Sequence, residues 1–537
     1  MREQRLGTGV VVGLSLALPV LAVLALAARL LGLPFAPYFL FDGFSRALPG
    51  PVITFGIDAM ITTLDALGLD VADTAKTAER AMAVVGFVAA ATVAAVAFFA
   101  FFGARRARPD RVAGLVMGAL FGLPVIAVGL AVGGAGGGAA VDAVWLGVVF
   151  LAWGVLLAWA YRRTVPPPER PGSAVVVGRR RFLVTLGAAS AAVTVVGAGL
   201  ARFLAREEGA ADGGGGLAAG GHASETGGGA PFPNAGDPVM PAPGTRPEYT
   251  PLKDHYEVFI RTEPTVVDGD DWRLDVGGLV ERPRRLTLAE LRSRYPRHDR
   301  YVTISCISGR VGTGLIGTTL WSGLRLADLL ADVGLDPAAR WLRFHSADGF
   351  HETVDRELVE AEPRLLLCYD WDGHALPTDH GFPLRLWIPD RYGMKQPKWI
   401  QRIEAVAEYE PGYWVSRGWD RVARVKATSV IDTVAVDAAR EEGGRRLVPV
   451  GGIAYAGARG VSRVEVRVDD GPWQEARLRS PLSDTTWVVW RWEWPFEPGE
   501  HTFTVRCAEA DGTPQVTARK GNRPDGASGL HRMRVEA

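Results

Sequence analysis

Five stretches near the amino end, residues 7 to 33, 81 to 103, 112 to 133, 141 to 161 and 182 to 204, are apolar and almost free of charge. Each is close to the roughly 20 residues that an α-helix needs to cross the hydrocarbon core of a bilayer. No water reaches that core to satisfy backbone N–H and C=O groups, so a chain can pass only as helices or as a closed barrel, and unbroken apolar runs select helices. Residues 1–205 therefore read as an all-α transmembrane region of about five helices, with the lipid bilayer as partner.

Lys and Arg in the short loops set orientation. Arg2 and Arg5 precede the first stretch, Arg105, Arg106, Arg108 and Arg111 follow the second, and Arg162, Arg163, Arg170 and Arg179 to Arg181 lie between the fourth and fifth. These three places read as cytoplasmic. Pro34 to Arg80 is richer in Asp (Asp42, Asp58, Asp65, Asp70, Asp73) than in basic residues, and the turn Gly133 to Gly138 has no Lys or Arg, so both read as external. Everything after about Ala205 then lies outside, in a multi-pass cell-membrane protein. The run Gly178-Arg179-Arg180-Arg181-Phe182-Leu183 resembles a twin-arginine export signal kept as an anchor, although a positive-inside cluster ahead of a helix explains the same arginines. All nine histidines fall outside the five stretches, which excludes a bis-histidine haem among the helices. Their centres hold no ionisable residue, so the region reads as an anchor.

Residues 206–248 are mostly Gly, Ala and Pro, a flexible linker with a reach on the order of 35 Å. Over 249–424, strand-like runs (Tyr301 to Ile304, Trp341 to Phe344, Pro383 to Ile388) mix with a helical pattern at Leu324 to Val333, which predicts an α+β domain. From 425 to 537 the pattern alternates, as in Val461 to Val468 followed by the turn Asp469-Asp470-Gly471, and predicts a β-sandwich. The 59 basic residues balance 59 acidic ones, so no global field gathers nucleic acid.

Three constellations compete for the chemistry. Gly312-Thr313-Gly314-Leu315-Ile316-Gly317 spells a dinucleotide fingerprint, but Thr318 to Gly323 do not open a helix behind it. His345, His351, His374 and His380 lack the spacing of a zinc site. The third is a thiol followed by a basic cluster. Cys306 ends a strand and enters a glycine-bearing loop through Gly309, Arg310 and Gly312; a thiolate is a soft metal ligand, and a cysteine in a strand is equally an inert core residue. Further on, Asp379-His380-Gly381-Phe382-Pro383-Leu384-Arg385 and Tyr392-Gly393-Met394-Lys395-Gln396-Pro397-Lys398-Trp399 place a His, an Arg and two Lys around a strand and a turn. These are donors suited to a phosphate, or a solvated cationic face. Cys368 and Cys507 lie in apolar strand patterns and read as core.

These residues resemble the sulfite oxidase family of molybdopterin enzymes over about 250 to 537. His-Gly-Phe-Pro-x-Arg followed by Lys-Trp, with five residues from His380 to Arg385 and eighteen to Lys398, reproduces the spacing of the family's pterin-phosphate contacts. Phe259-Ile260-Arg261 is similar to the segment that opens the family's domain against the cofactor, and Phe344-His345-Ser346-Ala347-Asp348 sits where a further contact is made. The resemblance implies a molybdenum–molybdopterin cofactor with Cys306 as the metal ligand, and a cofactor-binding set of Phe259, Arg261, Thr262, Ser346, Asp348, His380, Arg385, Gln396 and Lys398. Gly452-Ile453-Ala454-Tyr455 and the strand beginning Val464 resemble the family's immunoglobulin-like dimerisation domain, which implies a homodimer through residues 425–537.

Two departures bear on function. Sulfite oxidases carry Asn and a pair of arginines after the cysteine loop begins, where this chain has Gly309, Arg310 and Val311. The family's active-site tyrosine falls on Trp419. Arg310 and Trp419 are the expected catalytic residues beside Cys306, and the expected activity is two-electron oxygen-atom transfer by a membrane-anchored, extracytoplasmic enzyme that is not a standard sulfite oxidase. Sulfoxide reduction of the methionine-sulfoxide type uses the same cofactor in the other direction, and a tethered binding module that has lost catalysis is the reading from another class. No cytochrome b5-like or CxxCH segment occurs, so this chain carries no haem and exchanges electrons with an extracytoplasmic or membrane partner.

Overall fold

The computed structural model describes residues 2–50, 71–132, 138–165, 180–196 and 232–537, with isolated positions between 51 and 70. The chain divides into two compact units. One comprises Met1–Pro49, Lys76–Gly216 and Phe259–Glu263; the other comprises Gly50–Ala75, Leu217–Val258 and Pro264–Ala537.

The helical unit is built from α1 (Arg2–Leu31), α2 (Ala36–Ala47), α3 (Val71–Ala104, its first turn counted with the other unit), α4 (Arg111–Val132) and α5 (Ala139–Thr164). Among the described residues, four helices are long and apolar enough to cross a membrane: Leu6–Leu31, Lys76–Ala104, Arg111–Val132 and Ala139–Thr164. The expected fifth, 182–204, is helical through 196 and otherwise lies outside the described residues, as does part of the arginine run beginning at Gly178. Helices α4 and α5 pack backbone to backbone, because a Cβ at Gly114 would stand 2.6 Å from the Gly154 carbonyl oxygen. Close packing of small residues of this kind is how helices associate without a hydrophobic drive. The Asp-rich stretch after α1 is not wholly loop. Pro37 stands in the first turn of α2, where its missing N–H costs nothing, and α2 buries Phe39 and Asp42.

The second unit opens with two mixed α+β layers. One five-stranded sheet runs in the order Arg284–Leu286, Leu274–Gly278, Ile400–Val406, Trp341–Ser346, His351–Asp355, with only the Leu274–Gly278 and Ile400–Val406 pair parallel. The other joins His298–Ser305, Ile316–Arg325, Leu366–Trp371 and His374–Ala375, with Arg385–Trp387 also on Leu366–Trp371. Helix Leu288–Arg294 starts at a reciprocal Thr287–Glu290 capping box. Helix Leu326–Val333 buries Leu326, Leu329, Leu330 and Val333, an apolar face at helical spacing.

From residue 425 onward the unit is β-rich. A five-stranded and a four-stranded sheet share a core of Val450, Trp490 and Trp494 from one and Val464, Phe503 and Val505 from the other. The expected linker needs a correction at its carboxyl end. Residues 206–231 lie outside the described residues, but 232–248 are not a free tether. Arg479 reaches the carbonyls of Asn234 and Val239 and pairs with Glu248 at 2.6 Å, and Arg246 pairs with Asp432 at 2.6 Å. Pro and Gly gave the segment a linker's composition, and distant arginines supply the partners that composition does not reveal.

Candidate active site around Cys306

Strand His298–Ser305 delivers Cys306 to the mouth of its hairpin with Ile316–Arg325. The thiol is 9% exposed and its Sγ lies 3.0 Å from the Ser308 hydroxyl. Burial raises its pKa, while the Ser308 hydrogen bond and the Lys398 charge act in the opposite direction. Cys368, in the same hydrophobic cluster as Cys306, and Cys507, in the β-rich core, are also buried, and burial drives both thiols up, Cys507 to about 12.

The basic cluster is not a solvated face. His380 and Arg385 are 2% and 3% exposed. The Arg385 guanidinium stands 4.2 Å over the Trp321 ring, and its Nη1 donates to the His380 carbonyl at 2.9 Å. Lys398 Nζ donates to the Asp379 carbonyl at 2.8 Å. The turn between them requires glycine: Gly381 has φ +113°, and a Cβ there would meet Lys398 Cβ at 3.0 Å and Arg385 Cβ at 3.2 Å. Ser346 and Asp348 join the same group. The Ala347 N–H donates to the Trp399 carbonyl at 2.9 Å, and Asp348 closes its loop by accepting from the Phe350 N–H at 2.9 Å. Gln396 donates to the Arg391 carbonyl at 3.0 Å.

His255 belongs to this group and was not foreseen. Its ring stacks on Tyr256 and meets His380 edge-on at 5.3 Å. Desolvation pushes its pKa down to about 3 and that of His380 well down, and the nearby Arg385 and Lys398 charges act the same way. A Cβ at Gly317 would come within 2.7 Å of His255 Nε2. The last glycine of the apparent dinucleotide motif therefore serves this contact, and the motif runs into strand Ile316–Arg325, not a helix.

Several buried polar atoms around the cradle have no partner among the described residues: His255 Nε2, Trp321 Nε1, Arg385 Nε, Gln396 Oε1 and Ser346 Oγ. Buried polar groups are almost always satisfied, and a buried guanidinium without a carboxylate is costly. Four of these atoms can themselves donate a hydrogen bond, and with Lys398 they fit a large anionic, hydrogen-bonding group such as a pterin phosphate.

Residues 261–414 match the family model described as oxidoreductase molybdopterin binding domain. Over these residues the chain carries an oxidoreductase molybdopterin binding domain. Mitochondrial sulfite oxidase of Homo sapiens is 28% identical over 289 residues, 46% of this chain and 53% of that one. YedZ1 of Azospira oryzae, named as a putative protein-methionine-sulfoxide reductase subunit, is 33% identical over 154 residues, 29% of this chain and 56% of that one. The solved structure of the sulfane dehydrogenase SoxCD from Paracoccus pantotrophus aligns over 56% of this chain and 86% of that chain at 21% identity, with a TM-score of 0.47. The chain spans about half the length of the human relative.

Arg310 and Cys306 line a crevice of about 50 Å³ with Tyr392, Lys426 and Tyr455. Trp419 is 6% exposed, packs with Ile307 and Tyr392, and lies 4.2 Å beneath the Arg523 guanidinium. Asn522 donates to the Ser308 carbonyl at 2.7 Å, so the β-rich region reaches the Cys306 loop. The sequence singles out neither residue; an Asn-Arg pair flanked by Gly521 and Pro524 is the one local signal there. Phe259, Arg261 and Thr262 lie in the helical unit, where the structure gives them other partners, and are not brought together with the cradle inside one unit.

Proposed function

We propose that the chain is a membrane-anchored molybdenum-cofactor oxidoreductase carrying out two-electron oxygen-atom transfer on the extracytoplasmic side. The observation that carries this is the buried Arg385 guanidinium, which among the described residues has no carboxylate partner and stands among unsatisfied polar atoms, while Lys398 of the same cradle acts on the Cys306 thiol. Arg385, His380, Lys398, Gln396, Ser346 and His255 hold the pterin and its phosphate, and Cys306 supplies its thiolate to the metal. When bound, the molybdenum centre supplies the two-electron chemistry. The protein orients the substrate through Arg310 and the Cys306 crevice and excludes water with Tyr392, Tyr455 and the Trp419–Arg523 stack.

Sulfoxide reduction is favoured over sulfite oxidation by Trp419, whose broad apolar face suits a thioether or sulfoxide and lacks a phenolic donor for a dianion, and by Val311, which removes one cation. The Arg-bearing loops support a cytoplasmic amino terminus and an external catalytic half. The two-sheet carboxyl-terminal region is of immunoglobulin-like type and a candidate homodimer surface, and electrons pass to or from a separate protein. Steady-state assays of detergent-extracted protein with artificial electron carriers test the activity: methionine sulfoxide reduction well above sulfite oxidation is expected, and efficient sulfite oxidation at micromolar substrate contradicts the substrate reading.

A further inference from the structure

Glu352 and Lys395, both in the second unit, form a buried ion pair that the chemistry above does not use. Glu352 is 0% exposed and Lys395 5%, and the ammonium donates to Glu352 Oε1 at 2.6 Å. Desolvation pushes the Glu352 carboxyl up, and the Lys395 charge pulls it back. The fit is close, since a Cβ at Gly412 would stand 2.6 Å from Glu352 Cδ. Among the described residues the second carboxylate oxygen, Oε2, has no hydrogen-bond partner. Such a pair is a poor source of stability, because matched apolar side chains in its place are often as stable or more so. Its placement is what calls for a reason.

Glu352 lies on strand His351–Asp355 opposite Phe344 of strand Trp341–Ser346, and the end of that hairpin carries Ser346 and Asp348. Lys395 ends the 3₁₀ turn Gly393–Lys395. Tyr392 of the Cys306 crevice stands just before this turn, and Gln396 directly follows Lys395, with Lys398 two residues on. Ser346 Oγ and Gln396 Oε1 are two of the buried atoms left without a partner, so the pair joins the two segments that bring them. Other links lie further along the turn. The Leu386 N–H donates to the Pro397 carbonyl at 2.9 Å, and the Ala347 N–H to the Trp399 carbonyl at 2.9 Å. The ion pair adds a link upstream of both, where it sets how far Gln396 stands from Ser346. We propose that Glu352 and Lys395 are positioning residues that hold the Ser346–Asp348 loop and the Tyr392–Lys398 turn at the spacing the cofactor needs, linking the cradle to the Tyr392 wall of the crevice. The proposal rests on the molybdenum-cofactor reading above.

The test uses the full-length protein in detergent, as wild type, as the apolar double variant Glu352→Met with Lys395→Met, and as Glu352→Gln. Three properties are read: hydrogen exchange of the Gln396 amide, molybdenum content, and the Mo(V) electron paramagnetic resonance spectrum. The double variant is expected to keep a urea midpoint close to that of wild type, because no unpaired charge is left buried. It should nevertheless speed exchange at Gln396 by about ten-fold, lower molybdenum content at least about three-fold and shift the Mo(V) signal. Glu352→Gln keeps the shape of the side chain, covers the case in which the double variant does not fold, and should act in the same direction. A folded variant with wild-type molybdenum content and an unchanged spectrum, whatever its exchange rate, would overturn the proposal and leave the pair a structural contact. Wild-type protein without molybdenum would instead overturn the cofactor reading, and this proposal with it.

Discussion

Replacing Arg385 with Met separates a cofactor-holding cation from a structural one. The guanidinium is 3% exposed, and burial pushes its pKa from 12.5 down to about 10, a penalty of roughly 3 kcal/mol on the charged form. Against that penalty stand one charge-assisted bond to the His380 carbonyl, about 1.5–3 kcal/mol, and stacking on Trp321, about 2 kcal/mol when desolvated. Methionine keeps the apolar stem's packing. The terms largely cancel, so the cofactor-free protein should change in stability by no more than about 2 kcal/mol. With an anionic group bound, the same change removes charge-assisted bonds worth about 3 kcal/mol, close to a hundred-fold in affinity. Denaturant titration of the detergent-solubilised protein, with and without cofactor, reads both quantities. An equal loss in the two states, or full molybdenum retention in the variant, would refute the reasoning.

Cys306→Ser should abolish turnover and the Mo(V) signal, while Cys368→Ser and Cys507→Ser, which lie in core clusters, keep most activity; steady-state assays of the three decide it. Trp419→Tyr combined with Val311→Arg should raise sulfite kcat/KM about ten-fold, the worth of one charge-assisted bond, as measured with an artificial acceptor. The cofactor-free protein should lose stability in acid through His255. Its folded pKa of about 3 lies below the ordinary 6.5, so the unfolded chain takes up a proton that the fold refuses. Stability is flat above about pH 6.5 and falls below it, by roughly 3 kcal/mol near pH 4.5. Urea midpoints should show that slope, and His255→Gln should flatten it.

What the sequence revealed depended on whether the signal was local. Apolar runs marked α1, α3, α4 and α5 because membrane length is written in consecutive residues, and His380, Arg385 and Lys398 come together because one turn and one strand carry all three. The Cys306 strand was legible for the same reason. His255, Asn522 and Arg523 were not, since each reaches the site across more than a hundred residues of chain or as a loop tip with no periodic pattern. Asp42 looked like a loop carboxylate among several, and only its contact with Thr262, 220 residues away, separates it from the others. The buried Glu352–Lys395 pair, at 2.6 Å, was equally invisible, because neither residue type advertises burial.

Molybdenum and pterin analysis of the full-length protein, extracted in detergent after expression with the cofactor pathway intact, tests the central claim most directly. The account predicts about one molybdenum per chain, released together with pterin and lost in Cys306→Ser. Less than about a tenth of a molybdenum per wild-type chain would contradict it, and would favour a membrane-tethered binding module that keeps the domain without its chemistry.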